Sequence, residues 1–97
     1  MSNNLFISYD LNSPGQNYAD VIVKIKSLGS WAKIQQSFWY VDSVYSAQEA
    51  TDIVKAVMDR NDSVIVINST NNSSAWHGLS DEVATHIKKH WNLSKAY

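Results

Sequence analysis

The chain has 97 residues, 44% hydrophobic and 18% charged, which suits one small globular domain that alone buries only about 60–65% of its unfolded surface. Eight lysines and arginines against nine acids give a formal charge of -1, which excludes a general attraction to phosphate and leaves any nucleic-acid binding to a local patch. Cysteine is absent, which removes disulfide frameworks and thiolate metal sites from consideration.

The first apolar stretch, Leu5-Phe6-Ile7-Ser8-Tyr9-Asp10, reads as a strand ending on a carboxylate. Turn formers follow at Asn12-Ser13-Pro14-Gly15-Gln16, where proline fixes φ and glycine loosens the next link. Residues 17–28 read as an amphipathic helix: Asn17 caps it, Tyr18, Val21, Ile22, Ile25 and Leu28 recur at helical spacing, and Gly29 stops it. Residues 31–44 are β-like, with Ile34, Phe38, Trp39, Tyr40 and Val41, and the polar Gln35-Gln36-Ser37 divides them into two strands at a tight turn or bulge.

A capping box, Ser46 with Glu49, opens a second helix whose apolar stripe is Ala50, Ile53, Val54, Val57 and Met58, and Arg60-Asn61-Asp62 ends it. Val64-Ile65-Val66-Ile67 is β-branched and apolar on both faces, which predicts a buried strand. The polar tract from Asn68 to Ser74 reads as a loop. Ser80 caps a third helix carrying Leu79, Val83, Ala84, Ile87 and Trp91, and the chain frays beyond Asn92.

The expected architecture is α+β: a single domain over residues 1–97 with a ferredoxin-like βαββαβ core over about 5–68, an antiparallel sheet, and a C-terminal loop and helix over 69–97. Both core helices would cover one sheet face. The other face carries bulky side chains and is expected to bury itself against a second copy, giving a homodimer. Apolar runs of about four to six residues are far below the length of a membrane span, and Met1-Ser2-Asn3-Asn4 is no signal peptide. A cytoplasmic location without membrane contact follows as the expectation. Asn68-Ser69-Thr70 and Asn72-Ser73-Ser74, which match glycosylation acceptors, then read as loop composition.

Three segments carry a family resemblance: Tyr9-Asp10 closing the first strand, Lys33-Ile34-Gln35-Gln36-Ser37-Phe38-Trp39 in the middle, and Asp62-Ser63-Val64-Ile65-Val66 in the last core strand. In order and spacing these resemble the Cas2 superfamily, the small dimeric CRISPR-adaptation proteins and their VapD-like toxin relatives, over residues 5–68. The resemblance implies a ferredoxin-like homodimer that acts on or scaffolds nucleic acid. It also implies that Asp10 of each subunit meets its mate across the interface and holds Mg2+ or Mn2+ for phosphodiester hydrolysis, with Ser37 orienting the carboxylate or a phosphate oxygen. The chain departs from the family where basic residues commonly follow the first strand: Leu11-Asn12-Ser13-Pro14-Gly15-Gln16-Asn17 stands there, and Arg60 is the only arginine. A noncatalytic protein-interaction module that retains the dimeric fold is the competing reading. Phe6-Ile7-Ser8-Tyr9 also resembles the opening strand of TIR domains, but 97 residues cannot supply their repeated parallel crossovers.

Each candidate residue has a structural reading beside its functional one. Asp10 could instead accept backbone amides at a strand-to-loop turn, and Ser37 could satisfy backbone at a bulge. Asp20 and Asp42 are reserve ligands, otherwise explained by capping and solvation. Glu82, His86 and His90 at i, i+4 and i+8 could offer two imidazoles to zinc, but lack a third designated ligand and read better, with Lys88 and Lys89, as a solvated face. His77 beside Trp76 has less support. Trp31, Trp39, Tyr40 and Tyr45 could stack on bases, but without basic residues interleaved among them they read as core or dimer packing.

Overall fold

The computed structural model describes residues 2–12 and 18–91. Among these, strands β1 (Asn3–Asp10), β2 (Gly29–Gln35), β3 (Phe38–Ser43), β4 (Ser63–Asn68) and β5 (Ser73–His77) alternate with helices α1 (Tyr18–Lys26), α2 (Ala47–Lys55) and α3 (Asp81–Trp91). The fold is α+β, with one five-stranded antiparallel sheet in the order β2-β3-β1-β4-β5. That order differs from the four strands expected: β5 adds to the edge beside β4, and it begins inside the tract read as a loop. The expected cap at Asn17 and the turn over residues 13–16 lie outside the described residues, as does the end beyond Trp91.

Period-two alternation builds the core. Leu5, Ile7 and Tyr9 of β1, Trp39 and Val41 of β3, Val64 and Val66 of β4 and Ala75 of β5 are buried together with Val21 and Ile25 of α1 and Ala47, Ala50 and Val54 of α2. Each fully buried Leu, Ile or Val contributes about 1.5–3 kcal/mol relative to exposure, so this one face supplies most of the cohesion. Ala75 extends the core past the expected boundary at residue 68.

Local chemistry sets the ends. Ser46 Oγ accepts from Glu49 N–H at 3.0 Å and Glu49 Oε1 accepts from Ser46 N–H at 2.9 Å, the reciprocal capping box of α2. Helix α2 ends at Lys55, before the predicted stop at Arg60-Asn61-Asp62, and Val57 and Met58 pack on the core from the turn that follows. Ser80 Oγ accepts from Val83 N–H at 3.2 Å and so caps α3. The β2–β3 turn falls at Gln36-Ser37, with a register irregularity between Lys33 and Gln35, where the polar run predicted a division. Gly29 opens β2 and does not merely stop α1: a Cβ there would collide with the Asp42 carbonyl oxygen on β3.

The second sheet face is covered unevenly. Helix α3 has no buried residue; Ile87 and Trp91 share an open cleft with Ile65 and Ile67 of β4, and the Trp91 indole N–H donates to Asn72 O at 2.9 Å. Over β1 and β3, Phe6, Phe38 and Tyr40 form a half-buried aromatic surface, with Phe6 and Phe38 centroids 6.0 Å apart and Phe6 and Tyr40 5.5 Å apart.

Candidate functional site

The alternation that buries Tyr9 turns Asp10 to the second face, where it is exposed at the end of β1, opposite Ser63. Its side chain has no hydrogen-bond or ion-pair partner among the described residues. Ser37 is at the same end of the sheet: its carbonyl accepts the Tyr9 N–H at 3.1 Å, one residue beyond the last β1–β3 pair. The Tyr9 hydroxyl, 3.4 Å from Gln36 O, spans to the same turn. The structure therefore gathers the two sequence-derived residues, Asp10 and Ser37, around one strand end, with backbone as the link between them.

The reserve ligands do not join them. Asp42 shares the second face but stands opposite Asn4, six residues along β1 from Asp10, a separation of about 20 Å at strand rise. Asp20 is in the first turn of α1. On α3 the His86 and His90 rings stack at 4.3 Å, and His90 Nδ1 is 2.9 Å from the His86 carbonyl oxygen. No group of three metal-capable side chains exists among the described residues. A divalent cation such as Mg2+ takes an oxygen-rich shell, and one carboxylate per chain does not build it; a single copy does not fit the ion.

The capping role considered for Asp10 belongs to a different acid. Asp62 is fully buried; its Oδ1 accepts from Asn12 N–H at 2.8 Å and its Oδ2 from Asp59 N–H at 2.8 Å, while Asn12 Nδ2 donates to Asn61 O at 2.9 Å. This carboxylate staples the chain leaving β1 to the turn entering β4, directly behind Asp10. Gly78, at φ +83, approaches the Asp62 backbone, where a Cβ would strike the Asp62 carbonyl oxygen. In the sequence Asp62 is read as a helix stop and as the first residue of the last core-strand segment; nothing local announces that its two oxygens meet amides 3 and 50 residues away.

The aromatic residues divide into two groups. Tyr40 belongs to the bare face and donates its hydroxyl to Asn4 Oδ1 at 2.7 Å. Tyr45 packs against the core, its carbonyl accepting Asn3 Nδ2 at 3.0 Å. Trp31 and Trp39 meet at 5.4 Å on the helix-covered face, and here lysines are interleaved after all: Lys26 Nζ is 4.4 Å from the Trp31 ring centre and Lys33 Nζ 5.9 Å from that of Trp39. At the opposite edge Lys88 Nζ stands 5.9 Å from the Trp76 ring. The signal for the first cluster was present as Trp31-x-Lys33, two residues on one side of a strand; Lys26 joins them only through the α1–β2 connection. Among the described residues no helix is long and apolar enough to cross a membrane.

No protein-family model, curated protein or solved structure matches this chain.

Proposed function

We propose that this protein is a noncatalytic interaction module, with a ferredoxin-like β1–β4 core extended by β5, that self-associates through the second sheet face. One observation carries this reading: Phe6, Phe38 and Tyr40 form a half-buried aromatic surface on the sheet face opposite α1 and α2, beyond the reach of α3. Aromatic surface of this kind is enriched at interfaces. A symmetric pair is the simplest occupant, since a twofold axis uses the same patch twice. The test is size-exclusion chromatography with light scattering. The expected result is a dimer at micromolar concentration, converted to monomer by Phe38→Glu with its fold retained; a monomer throughout defeats the reading.

A second reading, the Cas2-like one, is favoured by Asp10 lying on the same face as Phe6. Face-to-face pairing would then bring together two Asp10 carboxylates, each near the Ser37 turn, to hold Mg2+ or Mn2+ and cleave or organise RNA or DNA in the cytoplasm. A metal-dependent cleavage assay on both nucleic acids, run beside Asp10→Ala and Ser37→Ala, decides it. Metal-dependent cleavage lost in Asp10→Ala supports the nuclease. Equal rates in wild type and mutant, or none in either, leave the interaction module.

A further inference from the structure

The free edge of the sheet offers chemistry that face-to-face pairing does not use. Strand β2 is terminal in the sheet order, so among the described residues one side of its backbone has no strand partner, and all seven of its residues are exposed. A strand edge of this length is a template for another extended segment. Trp31, 45% exposed, and Ile34, 48% exposed, present apolar side chains along that edge. Lys26 Nζ stands over the Trp31 ring and Lys33 Nζ near the ring of Trp39, which Trp31 touches. Among the described residues the ion pair is Lys55–Asp52, and neither Lys26 nor Lys33 has a carboxylate partner. The Trp39 indole N–H, in contact with this cluster, is buried without an acceptor among the described residues.

We infer that the β2 edge pairs with an extended acidic peptide segment of a partner protein. Strand addition supplies main-chain hydrogen bonds, the two lysines select carboxylate side chains on the Trp31 side of the added strand, and Ile34 accepts apolar ones. Charge complementarity favours this occupant over the alternatives. A single-stranded nucleic acid would use Trp31 and the ammonium groups but not the free backbone edge, and it would approach a chain of net charge -1. A second copy paired edge to edge would set Lys26 and Lys33 against their own duplicates, and like charges across a strand pair destabilise it.

The experiment uses the full chain carrying Phe38→Glu, so that failure of the face-to-face dimer does not confuse the outcome, with the wild type in parallel. An octapeptide alternating glutamate and valine is titrated to about 1 mM, the range of weak peptide capture, while backbone amide NMR signals are followed. The expected result is shifts concentrated in Gly29–Gln35 and at Lys26, an affinity that falls as salt is raised, and about tenfold weaker binding in Lys26→Glu/Lys33→Glu. Lys33→Gln alone, the milder variant, should weaken it by a smaller factor with the unfolding midpoint unchanged. The proposal is overturned by silent β2 amides, by equal binding of a lysine–valine octapeptide, by tighter binding of a ten-nucleotide oligothymidylate at the same residues, or by dimerisation of the Phe38→Glu protein through β2.

Discussion

Asp10 and Asp62 are both strand-associated acids, and their surroundings assign them opposite tasks. Asp62 is itself fully buried and has each oxygen engaged by a backbone amide, so removing the carboxylate leaves the Asn12 and Asp59 N–H groups without their acceptor. Asp62→Ala is expected to cost about 2–4 kcal/mol, read as a lower urea midpoint with unchanged slope, and Asp62→Asn should fall between it and wild type because one oxygen remains. Asp10→Ala should leave the same midpoint within about 0.5 kcal/mol, since its carboxylate is exposed and unpartnered among the described residues. A large loss in Asp10→Ala would mean that this acid, too, holds the fold. Gly78→Ala should destabilise by at least about 1 kcal/mol, because its positive φ and its approach to the Asp62 carbonyl both resist a Cβ.

Among the elements, α2 and α3 show how similar sequence cues lead to different stabilities. Both have serine caps, but α2 buries Ala47, Ala50, Thr51 and Val54 while α3 buries nothing. Helical stability in proteins comes chiefly from packing an apolar face. Ser46→Ala should therefore lower global stability by about 1 kcal/mol, seen in denaturant unfolding, because α2 unfolds only with the core. Amide hydrogen exchange should be faster in α3 than in α2 by orders of magnitude, reflecting local opening; equal protection would show that α3 is locked down by contacts beyond Ile87, Trp91 and Asn72. Strand β5 is the element that the sequence hid. Ser73-Ser74-Ala75-Trp76-His77 has neither a long β-branched run nor clean alternation, and it becomes a strand by pairing with β4 and setting Ala75 in the core.

Considered whole, the molecule has one sheet face covered by α1 and α2 except at β2, and one partly open. If the open half is closed by a second copy, the thermal midpoint should rise with protein concentration by mass action, and Phe38→Glu should abolish that dependence. A concentration-independent midpoint in the wild type would remove the dimer. Net charge is near zero, so long-range repulsion does not oppose such pairing. The edge at β2 is a separate surface, and its use by an acidic strand would be additive with pairing through Phe6, Phe38 and Tyr40.

Periodicity and caps in the sequence were enough to locate four strands, three helices and the Gln36-Ser37 turn, because each is determined by neighbours within a few positions. The end of β1 at Asp10 was legible for the same reason. Tertiary structure alone decided the rest. It gave the turn-stapling role to Asp62, built a fifth strand from a polar tract, brought Lys26 to Trp31, and kept Asp42 about 20 Å from Asp10 by strand rise. Those outcomes depend on partners far apart in the chain, where strand pairing and burial outweigh local composition.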